Sequence, residues 1–371
     1  MMQLARTERH LLARWWWTVD RPLLAGLALL ASAGVIFVFA ASPPVAHRLD
    51  LPSLHFVLRH TLYLAPALLV LFGTSLLAPR GVWRLALAVL LLGILMLILT
   101  LLTGAEIKGA RRWLSVGGFM LQPSELIKPA LAVVVGAMLA RSPGVEQAKP
   151  VLILTALIVL LILAQPDVGM TLTVACIVAS QLFIAGLPWL LVGLIACAGG
   201  LMLWSAYVWF PHVTERIDRF IDPSSGDHYQ VATALEAIRG AAWFGSGPGE
   251  GEVKYRLPDA HSDFVFAVIA EEFGLVACLA LIGLFTFIVV RGLEGARQRG
   301  DRFALIASVG LLTHFGLQAI VNVGVNLGVL PATGMTLPFV SYGGSSLFAI
   351  ALGMGMLLAL NRRRPGAEAT P

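Results

Sequence analysis

The stretch LLAGLALLASAGVIFVFAA, residues Leu23–Ala41, contains no charged residue and a single hydroxyl side chain, Ser32. A helix that crosses a bilayer needs about 20 consecutive apolar residues, and this run has that length. Further apolar runs occupy Val151–Ala164 and Leu347–Leu360. Since these runs do not alternate between apolar and polar residues, they indicate membrane-spanning α-helices rather than the strands of a β-barrel.

The composition agrees with a chain that lies mostly in lipid. Of its 371 residues, 58% are hydrophobic and 13% are charged, against about 25% charged in soluble domains. The net charge of +5 comes from basic residues that flank apolar runs, as in the loops of membrane proteins, so we expect no nucleic-acid binding. The cysteines lie inside apolar runs without metal-ligand spacing; they are Cys176, Cys197 and Cys278.

We predict an all-α polytopic membrane protein with about ten transmembrane helices. The first span is interpreted as a retained helix rather than a cleaved signal peptide, because further spans follow it. The predicted spans cover residues 22–41, 56–77, 82–103, 125–140, 150–165, 168–186, 189–210, 262–290, 303–329 and 341–361.

The distribution of Lys and Arg places both termini in the cytoplasm. We therefore expect one integral membrane domain over the whole chain, with cytoplasmic segments at 1–21 and 362–371. The long polar connection 211–261 then lies outside, in the periplasm. Within it, Tyr229–Ile238 is predicted to form a short amphipathic helix, and the glycine-rich stretch 245–251 is predicted to be rich in turns.

Asp263 is the first candidate for chemistry. It lies in Leu257-Pro-Asp-Ala-His-Ser-Asp-Phe264, where the long loop meets a predicted span. A carboxylate at the boundary between water and membrane can accept a proton from a substrate hydroxyl. Alternatively, Ser262 or Asp263 caps the following helix, since both residue types accept hydrogen bonds from first-turn amides.

Burying other charged residues in or beside the spans costs free energy, so we expect each to have a function or to form an ion pair within the protein. Glu125 and Lys128, at i and i+3, can meet on one helix face, which suits a structural bridge as well as a substrate contact. Asp167 lies at a break between two spans, where it can cap a turn or line a cavity. Glu271 and Glu272 lie deeper in a span, as pairing or catalytic groups.

Several cations share the long loop and could bind a diphosphate head group or another anionic lipid; alternatively, they form a solvated face of the loop. They are Arg216, Arg219, Lys254 and Arg256. The glycine-rich stretch lacks the Lys-Ser/Thr of a P-loop. The histidines of this loop do not have metal-ligand spacing, and we interpret none of them as a ligand; they are His212, His228 and His261.

Six motifs occur along residues 109 to 346. They are Gly109-Ala-Arg-Arg-Trp113, Gln122-Pro-Ser-Glu-Leu-Ile-Lys128, Gln165-Pro-Asp-Val-Gly169, Leu257-Pro-Asp-Ala-His-Ser-Asp-Phe264, Ala270-Glu-Glu-Phe-Gly274 and Leu337-Pro-Phe-Val-Ser-Tyr-Gly-Gly-Ser-Ser346. In this order they resemble the SEDS family (shape, elongation, division and sporulation). Pro258-Asp-Ala-His261 and Gly334-Met-Thr-Leu-Pro338 resemble the division branch more than the elongation branch, and Gly247-Pro-Gly-Glu-Gly251 resembles α-proteobacterial division members.

The resemblance implies a ten-helix peptidoglycan glycosyltransferase. Such enzymes polymerise lipid II, an undecaprenyl-diphosphate disaccharide-peptide, into glycan strands, and they work with a cognate class B penicillin-binding protein. Asp263 matches the family's essential aspartate in the long external loop. Ser262 stands where many members have Thr, which changes little because both are small hydroxyl residues.

The resemblance also assigns residues outside the long loop. Glu125 and Lys128 match the paired residues of the fourth helix, and Asp167 matches the aspartate of the Gln-Pro-Asp motif. Arg112 and Ser341, which lie in two further motifs, complete the predicted substrate-binding set.

The implied reaction is the attack of a sugar 4-hydroxyl on the anomeric carbon of a lipid diphosphate. An α-linked donor that gives a β-linked product implies one inverting displacement, for which one base suffices. Asp263 is the predicted base. Lys254, Arg256, Arg216 or a divalent cation (Mg²⁺ or Mn²⁺) would stabilise the departing diphosphate.

Two other functions also fit the sequence. A lipid II flippase would use charged groups within the spans as a polar path (Glu125, Lys128, Asp167 and Glu271). A structural protein would recruit the transpeptidase to the division site. For all three functions we expect the bacterial inner membrane, the division septum, and membrane lipids and divisome proteins as partners.

Overall fold

The computed structural model describes residues 11–107, 110–141, 145–209, 214, 218 and 229–363. In these ranges the chain forms a bundle of α-helices with a small sheet. The helices are α1 (Leu11–Thr18), α2 (Arg21–Arg48), α3 (His55–Ser75), α4 (Pro79–Thr103), α5 (Pro123–Ala140), α6 (Val145–Leu163), α7 (Val168–Ile184), α8 (Trp189–Trp209), α9 (Tyr229–Gly240), α10 (Val265–Arg297), α11 (Arg302–Asn326) and α12 (Gly344–Asn361). The strands are β1 (Ala105–Ile107), β2 (Ala110–Val116) and β3 (Phe119–Leu121).

The predicted spans coincide with helices. Each of the ten falls on one of α2–α8 and α10–α12. Among the described residues, seven helices are long and apolar enough to cross a membrane, and the apolar helices Ala148–Leu163 and Val168–Ile184 are shorter. The chain is therefore a polytopic, helical membrane protein, as predicted, with a small sheet in addition.

The centre of the bundle is formed by α5, α11 and α12, whose side chains are mostly buried. Glycines allow close approach at this centre, which is typical of helix packing in membranes. A β-carbon at Gly136 would lie 2.7 Å from Cα of Ala307 on α11. A β-carbon at Gly34 would overlap the carbonyl oxygen of Phe339, so only glycine lets α2 pack against the segment that leads into α12.

The sheet between α4 and α5 was not predicted. Its three short strands pair antiparallel in the order β1-β2-β3. Gly117 and Gly118 join β2 to β3 with φ angles of 58° and 83°. A Gly-Gly pair between two short strands is a hairpin signal, and it is the feature from which this sheet could have been predicted.

The described part of the long loop contains the predicted amphipathic helix, which is α9. Helix α10 is interrupted at Gly274, where φ is 80°, and the loop that follows α9 packs against this interruption. Backbone N–H groups beyond the break donate to the loop carbonyls of Ala242 and Trp243, and the carbonyls of Glu271 and Glu272 accept hydrogen bonds from the loop. A helix break at membrane depth requires such partners for its backbone, so the glycine-rich stretch has a structural role here.

The other predicted segments are covered only in part. Helix α1 lies in segment 1–21, of which residues 1–10 lie outside the described residues. The same holds for residues 364–371 of the tail and for 211–213, 215–217 and 219–228 of the long loop. The sides of the membrane assigned to these segments stay predictions.

Candidate functional site

A cavity of about 960 Å³ lies where the sheet, the end of the long loop and the start of α12 meet. Four of the predicted site residues line it: Arg112, Glu125, Asp167 and Asp263. Its walls also contain apolar side chains, among them Leu62, Pro66, Phe119 and Phe348. The cavity therefore combines charged groups with a surface suited to a lipid-linked molecule.

Asp263 is half-buried and lines this cavity. A turn at Asp259 (φ 52°) precedes it, and the N–H groups of Ser262 and Phe264 donate to the Asp259 carbonyl at 3.0 and 3.3 Å. Helix α10 begins after Phe264 without a side-chain cap hydrogen bond. The N-cap position is therefore held by Phe264 and not by Ser262 or Asp263.

Asp167 has both of the roles that the sequence left open. Its Oδ1 accepts a hydrogen bond from the Met170 N–H at 3.2 Å, which caps α7. Its Oδ2 accepts from Nε2 of Gln122 at 3.3 Å and lies 3.7 Å from Nη1 of Arg112. Arg112 also donates to the carbonyls of Gln165 and Pro166. The sheet is thus fastened to the turn between α6 and α7 at the cavity wall.

Glu125 and Lys128 meet as predicted, with 2.9 Å between Oε2 and Nζ. Glu125 reaches the cavity, whereas Lys128 lies behind it with 0% of its surface exposed. Pairing the two opposite charges lowers the cost of burying either of them at this depth. Of these two residues, only Glu125 is placed to contact a substrate in the cavity.

Lys254 and Arg256 are not brought into the cavity. The Lys254 ammonium pairs with the carboxylate of Glu272, and both side chains are buried. Arg256 pairs with Glu236 at 2.5 Å on the exposed surface, and this hydrogen bond raises the pKa of the Arg256 guanidinium. The physical reason is that each cation already has a carboxylate partner away from the cavity. Arg216 and Arg219 lie outside the described residues.

Ser341 supports the cavity wall from behind. Its Oγ accepts a hydrogen bond from the Leu337 N–H at 2.8 Å, and the next residue, Tyr342, donates its N–H to the His261 carbonyl at 2.9 Å. Ser341 is buried and is not among the residues that line the cavity. It shapes the segment that carries Tyr342.

Arg59, Tyr63, His261 and Tyr342 also line the cavity, and the sequence did not point to them as site residues. Arg59 is exposed on α3, and both Arg59 and Tyr63 interact with Tyr342. The His261 ring packs 4.2 Å from that of Phe56, measured between centroids. Burial lowers the pKa of the His261 imidazole from 6.5 to about 4, so this ring is neutral at pH 7.

The predicted divalent cation stays a prediction. Among the described residues, no group of three or more His, Cys, Asp or Glu side chains converges as a metal site. Mg²⁺ commonly takes one or two carboxylates together with substrate phosphates and water. Asp259 and Asp263, which both line the cavity, are the carboxylates of the loop that could serve in this way.

The chain is similar to curated proteins over nearly its full length. It is 44% identical to the probable peptidoglycan glycosyltransferase FtsW of Caulobacter vibrioides over 370 residues, covering 98% of this chain and 94% of that protein. It is 36% identical to the probable peptidoglycan glycosyltransferase FtsW of Halomonas elongata, covering 100% and 99%. Both names agree with the predicted resemblance to the division branch.

Solved structures show the same fold. One chain of a peptidoglycan synthase complex that coordinates polymerization and crosslinking superposes with a TM-score of 0.78, at 32% identity, covering 92% of this chain and 97% of that one. The rod shape determining protein RodA of Thermus thermophilus gives a TM-score of 0.69 at 30% identity, covering 93% and 97%. The family model described as "Cell cycle protein", which bears the names FtsW, RodA and SpoVE, matches residues 21–365. The chain therefore belongs to the FtsW/RodA/SpoVE family of membrane proteins, the SEDS family.

Proposed function

We propose that this chain is a peptidoglycan glycosyltransferase that polymerises lipid II during cell division, with Asp263 as general base. The observation that carries the proposal is the position of Asp263 in a cavity that also holds Arg59 and Arg112. Relatives that bear the glycosyltransferase name cover nearly the whole chain. A base for a hydroxyl and cations for a diphosphate are what glycosyl transfer from a lipid diphosphate requires.

In the proposed reaction, the 4-hydroxyl of one sugar attacks the anomeric carbon of the donor. The new C–O bond forms as the bond to the diphosphate breaks, and Asp263 takes the hydroxyl proton. The lipid diphosphate leaves with the bonding electron pair. Arg59 is the cation best placed to stabilise it, because Arg112 already contacts Asp167 and two backbone carbonyls. A divalent cation would add positive charge at the leaving group.

The arrangement favours glycosyl transfer over a flippase. A transport path would need the charged groups in the spans to face one continuous space. Glu125 and Asp167 line the cavity, but Lys128 is buried behind it. The Glu271 carboxylate accepts hydrogen bonds from the N–H groups of Val253 and Lys254, outside the residues that line this cavity.

Location and partners form part of the proposal. We propose that the protein lies in the inner membrane at the division septum with both termini in the cytoplasm. A class B penicillin-binding protein and other divisome proteins are its proposed partners. One solved structure with the same fold belongs to a peptidoglycan synthase complex, which supports such an assembly.

The test is the polymerisation of lipid II by the purified full-length chain with its transpeptidase. We expect Asp263→Ala and Asp263→Asn to assemble normally and to lose polymerisation by a factor of about 10² or more. Near-normal polymerisation by Asp263→Asn would overturn the assignment of the base. Growth and complex formation in the same variants separate the alternatives, since a purely recruiting protein would support growth without this carboxylate.

A further inference from the structure

A line of polar side chains runs along the buried side of α11 at four-residue intervals. It consists of His314, Gln318, Asn322 and Asn326, none more than 1% exposed. Polar side chains at this depth are costly unless they have partners. The two asparagines lie closest along the helix to the segment that bears Asp263, and their contacts are directed to it.

The Asn322 amide joins two walls of the cavity. Its Nδ2 donates to the carbonyl of Asp263 at 2.9 Å and to the carbonyl of Met335 at 2.7 Å. Met335 follows Gly334, whose φ is 73°, a backbone conformation that residues other than glycine rarely adopt. A β-carbon at Gly334 would lie 3.8 Å from Oδ2 of Asp263. Asn322 therefore sets the spacing between the Asp263 backbone and the segment that faces its carboxylate.

Asn326 secures the same point from the next turn. Its Nδ2 donates to the Asp263 carbonyl at 2.9 Å and to the Asn322 carbonyl at 2.8 Å. Its Oδ1 accepts from the N–H of Ala267 at 3.1 Å, in the first turn of α10. Since this helix has no side-chain cap of its own, Asn326 provides a partner for its first turn from a neighbouring helix.

We propose that Asn322, supported by Asn326, is a positioning residue that holds Asp263 in its reactive geometry. The inference rests on the proposed function, in which Asp263 is the base. Catalytic groups must be held closely, because a displacement of about 1 Å can cost about 10²-fold in rate. Two hydrogen bonds to one carbonyl, from side chains on a central helix, give the backbone of Asp263 such support.

The test is steady-state polymerisation of lipid II by full-length Asn322→Ala and Asn322→Asp with the transpeptidase. We expect kcat to fall about 10- to 100-fold, with KM and lipid II binding changed less than about threefold. Asn322→Asp keeps the side-chain shape but removes both N–H donors. Asn326→Ala should cause a smaller fall, since the Asp263 carbonyl keeps its bond from Asn322.

Asn361 offers a matched control. It is a buried asparagine at the far end of α12, where it donates to the Gly292 carbonyl at 2.8 Å and accepts from Ser308 at 3.4 Å. The start of α12 lines the cavity, and its 18 residues place Asn361 about 25 Å away along the helix. Asn361→Ala should lose thermal stability as Asn322→Ala does, but keep its kcat.

Three results would overturn the proposal: an unchanged kcat in a stable Asn322→Ala protein, a loss that appears only in KM, or an equal loss of kcat in Asn361→Ala. If Asn322→Ala does not fold, Asn326→Ala decides by the same criteria. Asp263→Asn separates this inference from the proposed function. If Asp263→Asn is inactive and Asn322→Ala has a normal kcat, only the positioning role of Asn322 is wrong. If Asp263→Asn is active, the assignment of Asp263 as the base is wrong.

Discussion

The ammonium group of Lys254 pairs with the carboxylate of Glu272, and the two side chains are 1% and 0% exposed. The same ammonium donates to the carbonyl of Ala40 on α2 at 3.3 Å. Glu272 also accepts a hydrogen bond from the Gly249 N–H at 3.0 Å. The pair therefore fastens the long loop to α10 and α2, a short distance along the chain before Asp263.

This relationship predicts a large loss of stability when one partner is removed. Lys254→Met leaves the Glu272 carboxylate buried without its counter-charge, which typically costs about 3–5 kcal/mol. We expect a correspondingly lower free energy of unfolding for the purified protein in detergent, measured by chemical denaturation. Polymerisation should fall with the folded fraction, because Lys254 does not line the cavity.

Arg256→Met provides the comparison for this variant. The Arg256–Glu236 pair joins two side chains that are each 53% exposed, and solvent screening leaves such exposed pairs with little effect on stability. An equal loss of stability in the two variants would contradict the stabilising role of the buried Lys254–Glu272 pair. If a fully folded Lys254→Met protein does not bind lipid II, the prediction that Lys254 contacts the substrate would be supported instead.

Arg59 gives the second prediction. Arg59 lines the cavity, and charge-assisted hydrogen bonds to a phosphate are among the stronger polar contacts. We expect Arg59→Gln to reduce kcat/KM for lipid II polymerisation by about 10-fold or more, since one such bond contributes about 1.5–3 kcal/mol. The measurement is initial rate against lipid II concentration.

Arg111→Gln is the control for Arg59→Gln. Arg111 is an exposed cation on β2, 3.5 Å from Glu106, and it is not among the residues that line the cavity. Its replacement should leave kcat/KM within about twofold of the unmodified protein. Equal effects of the two replacements would indicate general attraction of an anionic substrate by surface charge instead of a specific contact.

The helices, and the position of Asp263 where the long loop meets a helix, could be predicted from sequence because their signals are local. Long apolar runs determine which segments lie in the bilayer, and the motif before α10 is continuous in the chain. Contacts between distant residues have no such signal. Lys254 and Glu272 are 18 residues apart, and Arg112 meets the carbonyl of Gln165 at a separation of 53 residues.

The same distinction explains the cavity residues that were missed. In the sequence, Arg59 is one of several basic residues near the end of an apolar run. It lines the cavity only because α3 packs beside the start of α12. Asn322 and Asn326 did carry a sequence signal, which is the four-residue spacing of polar side chains within an apolar helix. Their carbonyl partner could not be inferred, because it depends on how α10 and α11 pack.

His261 gives the third prediction, a dependence of stability on pH. The folded-state pKa of its imidazole is about 4, lowered from 6.5 by burial, with Asp259 acting to raise it and Arg48 to lower it. Between these two pH values the unfolded chain binds a proton that the folded protein does not. Stability attributable to His261 is therefore complete above about pH 6.5 and is lost as the pH falls toward 4.

The measurement compares the free energy of unfolding of the unmodified protein and His261→Phe in detergent between pH 7.5 and 5. Phenylalanine keeps the ring contacts with Phe56 and Tyr342 and does not titrate. Values at pH 7.5, where the imidazole is neutral in both states, give the effect of the replacement alone. Acidification to pH 5 should then cost the unmodified protein about 2 kcal/mol more than the variant. Parallel pH curves would mean that the imidazole titrates equally in both states, and burial would then not be what keeps the His261 ring neutral.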